Sequence, residues 1–589
     1  MKNAAMYFIF LIVPMAGIAQ WSDNPSMNTK IIDTLGTQAV PKIVVNEEGE
    51  TYISWYNQPD SLSYFELYLQ HLNADGMKLW YDEGLLINDH PTWTWVTDYD
   101  LIIDSEDHAI VVMQDARNGY SDVFAYRISP EGTFTWGPDG IALTNDNDFK
   151  PSPSAVVTTD ENIVVMWGVG PSDTTKFSYI SLQKLSKDGQ TLWDVNTIIS
   201  TDSMHCLMPG MIATEDNGVI VMWITTVSTD TSEVGNWPYM YPLTQKIDGD
   251  GNQVWPEHLV LDTAKNMPLS FFAPAMESDG NGGFFAGWMA FPEGPFYNTY
   301  LQYVTSEGIP QWTPDGMNVS DSVQYKHSNP SLTYFPEHDE LFVFWNVLNE
   351  YEGFEAVYGQ KYSIDGQNQW TTGGRRFVGW VSAYDTLLGT SGIRKTTEDD
   401  LTLFYAYEFI TLAGTDTIIS TDYLARRIDR DGNSVWEGSD LVFTNAKSAK
   451  GELNVSRMVN DQYIATWEDN REDPENYYQA GIYAQNITKY GNLGPTAVND
   501  PMHDSNLIIG TYPNPVDHTL TITYRSDRNG AMELSLYDIT GNLIKHHVLP
   551  CQYAGDCTYT LDISELQAGV YIVQLQHNGM TGYHKIVKW

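Results

Sequence analysis

Between Trp21 and Gly494, short runs of alternating apolar and polar side chains are punctuated by Gly, Asp and Asn. Period-two alternation with many β-branched and aromatic residues predicts strands, and no stretch keeps the 3.6-residue spacing of a long helix. The runs repeat. In each repeat an alternating strand leads to a turn ending in Gly, with a Trp four residues later, as in Tyr68-Leu69-Gln70-His71-Leu72-Asn73-Ala74-Asp75-Gly76 followed by Trp80. The pair recurs at Gly132/Trp136, Gly189/Trp193, Gly251/Trp255, Gly308/Trp312, Gly366/Trp370 and Gly432/Trp436, and Gly491 closes the series without its Trp. The glycines are spaced 56 to 66 residues apart.

Each repeat holds four strand-like runs. The first is short and opens near a proline, as in Pro41-Lys42-Ile43-Val44-Val45. The second ends in Trp55, Trp167, Trp223, Trp288, Trp345 or Trp467, and the second and seventh repeats lack this residue. The third carries a Gln six places before the turn glycine: Gln70, Gln183, Gln245, Gln302, Gln360 and Gln485. Four antiparallel strands repeated eight times predict an all-β, eight-bladed β-propeller. The eighth repeat loses its pattern after Gly491, whereas the mature chain, expected to start at Gln20 or Trp21, places Trp21 59 residues before Trp80. The N-terminal segment is therefore expected to supply the missing fourth strand and to pair two edges that would otherwise invite aggregation. The repeated Trp residues are expected to fill the space between blades, each contributing ~2–3 kcal/mol of burial. The repeated Gln is expected to bond neighbouring backbone, and turns such as Asp188-Gly189 to supply positive φ.

The turns joining strands one to two and three to four are short, whereas the connections from strand two to three and from blade to blade are long and unequal. In a propeller the two long classes emerge on one face, where binding residues concentrate. Those connections carry Trp93, Trp95, Trp237, Tyr239, Tyr241, Phe296, Tyr297, Tyr351, Phe354, Trp380, Tyr477 and Tyr478. Two readings of these rings stay open: stacking on sugars or anchoring a protein partner, and packing under their own loops.

At 589 residues the chain is too long for one ordinary core. Its 31 basic and 76 acidic residues give a net charge of −45, a field that repels nucleic acid and anionic membranes. Residues 1–19 read as a signal peptide: Lys2 forms the positive region, Met6 to Met15 the apolar core and Gly17-Ile18-Ala19 the cleavage positions. No later stretch reaches the ~18 apolar residues of a membrane-spanning helix. Of three cysteines, Cys551 and Cys557 flank a short loop that a disulfide could close, and Cys206 reads as a buried small hydrophobe.

Catalytic and metal motifs are weak. Asp248-Gly249-Asp250-Gly251-Asn252 has the opening of a calcium loop but lacks the distal Glu and coincides with a repeat turn. Ser129-Pro130-Glu131-Gly132-Thr133-Phe134-Thr135-Trp136 is similar to the Asp-box turn of sialidases, but its Gly comes one place early and its acid is Glu. Arg394 and Arg457 alone fall near innermost strands, too few for an arginine triad, and Asp115-x-Arg117 and Asp469-x-Arg471 read as structural ion pairs. No nucleophile elbow, phosphate loop or HExxH is present, so neither a catalytic residue, a metal site nor a cofactor is assigned.

After Gly494 the repeat stops and 495–506 reads as a linker. Residues 507–589 contain, in order, Tyr512-Pro513-Asn514-Pro515, Leu536-Tyr537-Asp538, Gly541, Leu566, Gly569-Val570-Tyr571 and Lys585-Ile586-Val587-Lys588. This set resembles the type A sorting domain of type IX secretion cargo from Bacteroidota. The resemblance implies a small β-sandwich, with Pro513, Asn514, Pro515, Gly569, Tyr571, Lys585 and Lys588 as the sorting motif. It also implies recognition by the secretion machinery at the outer membrane, and removal during surface attachment or release. Trp589 extends past the usual terminal Lys, and the Cys551–Cys557 loop looks inserted. With five basic and seven acidic side chains in 507–589, the acidity belongs to the 20–494 passenger. The expected role is a secreted or surface-attached, non-catalytic module binding a glycan or a protein. A glycan hydrolase or lyase with carboxylates at the propeller mouth, and a structural adhesive role, are the alternatives.

Overall fold

A computed structural model describes residues 21–60, 63–92, 99–201, 203–226, 239–267, 274–292, 296–320, 324–383, 386–413, 416–436, 440–474, 479–494, 508–512, 516–526, 530–538, 542–551, 555–577 and 580–588. The chain divides into two compact units, Met1–Pro495 and Thr496–Trp589.

The described residues of the first unit form eight open, four-stranded antiparallel sheets. The first runs Thr37–Val45, Thr51–Gln58, Glu66–Leu72 and Leu85–Asn88, hydrogen-bonded in that order. Sheets two to seven repeat this plan from first strands Tyr99–Ile103, Ser154–Val157, His205–Ala213, Ala275–Ser278, Tyr325–Phe335 and Thr386–Lys395. The eighth consists of Lys450–Val455, Gln462–Asp469 and Gly481–Thr488, with the N-terminal Thr29–Ile32 as its fourth strand, Thr29 opposite Ala484. Second strands such as Ile163–Val169 are buried along their whole length, because both faces of a sheet meet a neighbour. Here the sequence is continuously apolar, and period-two alternation is only part of the signal.

The core consists of clusters that each span two successive sheets. One joins Ile110 and Val112 to Val165 and Trp167; another joins Trp21, Ile31 and Ile482 of the eighth sheet to Ile53 and Trp55 of the first. The Gly-x3-Trp repeat has the same geometry. The indole of each post-turn Trp lies on the turn glycine of the next sheet, and all but one donate Nε1–H to a carbonyl of that turn. Trp80 donates to Pro130 at 2.9 Å, Trp193 to Gly249 at 3.0 Å, Trp255 to Ser306 at 3.1 Å and Trp436 to Lys489 at 2.8 Å. Trp21 does the same to Ala74 at 2.9 Å, so it fills the eighth place of the series. A Cβ at Gly76 would stand 2.5 Å from the Trp21 ring, and its φ of 81° independently demands Gly. Trp370 departs from the pattern: its ring contacts Gly432, but its buried Nε1 has no hydrogen-bond partner among the described residues.

The repeated Gln holds the same Trp from within its own sheet. Gln245 donates to the Trp255 carbonyl at 3.1 Å and accepts from its amide at 3.2 Å; Gln485 donates to the Ser22 carbonyl at 2.8 Å, again treating the N-terminal segment as its fourth strand. The residue after this position carries a second repeat absent from the sequence reading. His71, Arg127, Lys184, Lys246, Lys361 and Arg427 pair with Glu50, Asp104, Asp160, Asp216, Glu340 and Asp400, each acid lying at the turn between the first two strands.

In the second unit, a three-stranded sheet (Ile508–Tyr512, Thr519–Ser526, Gly555–Asp562) and a four-stranded sheet (Leu543–Cys551, Gly530–Asp538, Gly569–His577, Met580–Lys588) bury one core. Leu520, Ile522 and Leu561 meet Leu534, Leu536 and Val573 there.

Candidate functional site

The sixth and seventh sheets depart from the common strand length. Second strands elsewhere span seven or eight residues, as in Ala109–Asp115 and Thr51–Gln58; in the sixth sheet Glu340–Asn349 spans ten, and in the seventh Asp400–Ala413 and Asp416–Asp429 span fourteen each. The extensions lie toward the long connections and bound a cavity of about 600 Å³. That size lies within the ~300–1,000 Å³ range of ligand pockets.

The cavity runs along the free edge of the first strand of the seventh sheet, at Leu387, Leu388 and Gly389. On one side stand Ser328, Asn346 and Glu355 of the sixth sheet, with Met289 and Tyr297 of the fifth. On the other stand Ala406, Glu408, Thr421 and Tyr423 of the seventh, with Lys450 of the eighth. Strand periodicity explains the second group. Leu387 is paired with Glu408 and Glu408 with Thr421, while Gly389 is paired with Ala406 and Ala406 with Tyr423, so all six share one face. Tyr405, Tyr407 and Phe409 alternate onto the other face as a ladder, with ring centroids 5.5 and 6.3 Å apart.

Three ionisable groups line this space. Glu355 is half-buried and one oxygen accepts the Leu388 amide at 2.6 Å; burial, reinforced by Glu352, raises its pKa above the usual carboxylate range. Glu408 is half-buried with no hydrogen-bond or charged partner among the described residues, and burial alone raises its pKa. The Lys450 ammonium is buried and donates to the carbonyls of Thr421 (2.6 Å), Ala446 (2.6 Å) and Ser448 (3.3 Å); burial lowers its pKa to about 8. A hydroxyl-rich lining with an aromatic wall can accept and orient a polar organic ligand.

Among the aromatic candidates, Tyr297 lines this cavity, edge-on to Phe291 at 5.8 Å. Phe296 is its half-buried chain neighbour. Tyr351 and Phe354, 79% and 46% exposed, sit at the open end of the sixth sheet's hairpin. Trp380 packs against Tyr325 with centroids 5.2 Å apart. Tyr241, in the third strand of the fourth sheet, and Tyr239, just before that strand, have ring centroids 5.9 Å apart, and their hydroxyls reach Met204 Sδ and Thr263 O respectively. Trp93, Trp95, Trp237, Tyr477 and Tyr478 fall outside the described residues, as do residues 1–19 and Pro513, Asn514 and Pro515. The carboxyls at the cavity escaped sequence reading because they are two among 76 acids. The one available signal was the 66-residue interval from Gly366 to Gly432, the longest in the series, which the seventh sheet's long hairpin creates.

The motif candidates resolve into turns and ties. Asp248 Oδ1 accepts the Asn252 amide at 2.8 Å within a hairpin, and the turn at Pro130 receives Trp80. Asp115 and Asp469 hold Arg117 and Arg471, and Arg457 spans from the eighth sheet to Glu47 of the first at 2.9 Å. Arg394 donates to the carbonyls of Ile393 and Val455. Cys206 is buried beside a second, apolar cavity of about 430 Å³, and burial pushes its thiol up to about 12. In the second unit Gly569 pairs with Lys588 and Ile572 with Lys585, while the Tyr571 hydroxyl donates to the Gln567 carbonyl. Cys557 lies opposite Tyr524 and Cys551 opposite Gly530, in different sheets; the Cys551 side chain is outside the described residues. No helix among the described residues is long and apolar enough to cross a membrane.

No curated protein matches the chain. Among solved structures it is similar to a polysaccharide lyase described as PL25-Ulvanlyase bound to -[GlcA(1-4)Rha3S]-, at 10% identity and a TM-score of 0.40 over 80% of this chain and 97% of that one. It is also similar to the β-propeller domain of the Trilobed protease from Pyrococcus furiosus, at 8% identity and a TM-score of 0.35 over 70% and 97%. Likenesses at this level carry nothing about function. Residues 510–589, in contrast, match the family described as the secretion system C-terminal sorting domain. The protein is thus exported through the type IX secretion system to the cell surface or the extracellular space.

Proposed function

We propose that the exported passenger is an eight-bladed β-propeller, closed by its N-terminal segment, that binds an extracellular glycan at the mouth of the ring without cleaving it. The contact of the eighth sheet with the first, which reuses the Trp-on-Gly seat at Trp21 and Gly76, supports closure. The observation that carries the binding reading is the cavity of about 600 Å³ on the long-connection side, with Tyr297 beside amide, hydroxyl and carboxyl groups. Sugars present alternating hydroxyl and C–H surfaces, which such a lining accommodates.

A second reading, glycan hydrolysis or elimination, draws on Glu355 and Glu408, whose raised pKa values are a feature of general acids. Their placement on opposite sides of one strand edge, with Glu355 tied to backbone, favours binding. Incubating the mature protein with a polysaccharide panel, while monitoring soluble sugar, tests both. Saturable retention without release is expected. Release abolished by Glu408→Gln would establish the catalytic reading, and the absence of retention on every glycan would remove both.

A further inference from the structure

Resting on the glycan reading of the cavity, we infer that its ligand class is an amino-sugar oligomer with free, protonated amines. Among the described residues, the lining presents negative charge without an available positive one. Lys450 is the one cation among the described lining residues, and its three N–H donors are directed to three main-chain carbonyls. No donor of that ammonium remains for a uronate or a sulfate. Glu355 commits one carboxyl oxygen to the Leu388 amide, and the Lys326 ammonium nearby is paired with Glu352. Glu408 is flanked across the sheet by Leu387 and Thr421, neither of which brings charge.

A half-buried carboxylate without a counter-charge is a costly group, and a ligand that brings the charge removes the cost. An ammonium substituent at a sugar ring would form a charge-assisted hydrogen bond there, stronger than one from a hydroxyl or an acetamide. The field of the whole molecule acts in the same direction. A net charge of −45 repels polyanionic glycans at a distance and concentrates cationic ones. Long-range attraction alone would bind any polycation indifferently, so the inference concerns the cavity and its two carboxyls.

The test uses the full mature chain, calorimetric titration at pH 6 and physiological ionic strength, and three short probes: glucosamine trimer, its fully N-acetylated counterpart and trigalacturonate. The glucosamine trimer is expected to bind at least tenfold more tightly than the acetylated trimer, and trigalacturonate to show no binding. Glu408→Gln should abolish that preference and Glu355→Gln should reduce it. Glu83→Gln, which removes one exposed charge from the first sheet, should leave it intact. Equal affinity for the glucosamine and acetylated trimers, or a preference that survives both Glu408→Gln and Glu355→Gln, overturns the inference while the glycan reading stands. A loss of the preference in Glu83→Gln equal to that in Glu408→Gln also overturns it, since the effect would then be non-specific charge. Silence toward all three probes, together with an empty polysaccharide panel, removes the glycan reading itself.

Discussion

Glu468 illustrates how a single side chain reports on the seam between the eighth sheet and the first. It accepts the Val40 amide at 2.7 Å, and burial with the charge of Glu452 raises its pKa to about 7. The folded chain therefore holds a proton that the unfolded chain has released, so stability falls as pH rises from the ordinary Glu value near ~4.3 through about 7. Glu468→Gln keeps an oxygen for Val40 and removes the charge. It should match the parent in unfolding free energy from denaturant titration at pH 4 and exceed it at pH 8, by on the order of 3 kcal/mol. An equal difference at both pH values would remove the titration from the explanation. Gly308 gives a second residue-scale outcome. Its φ is 77°, and a Cβ would stand 2.8 Å from Trp255. Gly308→Ala should lower stability by about 1–3 kcal/mol, readable as a lower melting temperature.

Among elements, the N-terminal segment makes the sharpest claim. Trp21 is 2% exposed and packs on Gly76, while Thr29–Ile32 covers the edge of Gly481–Thr488. Trp21→Ala should cost about 3–5 kcal/mol, as for other buried Trp truncations, and deletion of 21–32 should promote association through the uncovered edge. A melting temperature unchanged in Trp21→Ala would refute the seam. This element was legible in the sequence, because the distance from Trp21 to Trp80 matches the repeat and Gly491 lacks its own Trp. The cavity was not legible. Repeats reveal what is common to all sheets, and the site is built from what two sheets do differently: the extra residues of Glu340–Asn349, Asp400–Ala413 and Asp416–Asp429. Aromatic content was an uneven guide for a related reason. Tyr297 reached the cavity wall, whereas Trp380 and Tyr241 found neighbours of their own at Tyr325 and Met204. The recurring basic residue after the Gln position was missed because His, Lys and Arg fill it interchangeably, and only their shared partner, the acid at the first turn, reveals it.

At the scale of the whole molecule, the two units divide the work. Residues 510–589 direct export, and they carry little of the net negative charge. The first unit retains that charge, a field that would repel polyanions and attract cations around it. Hydrogen–deuterium exchange of the mature protein, with and without the glycan it retains best, locates the ligand without relying on any variant. Protection confined to 386–389, 404–409 and 421–423, with smaller effects at 346–355, is the outcome expected of a ligand in this cavity. Protection centred on Tyr239 and Tyr241, or a saturated complex with no change along the seventh sheet, would place the binding surface elsewhere and refute this assignment.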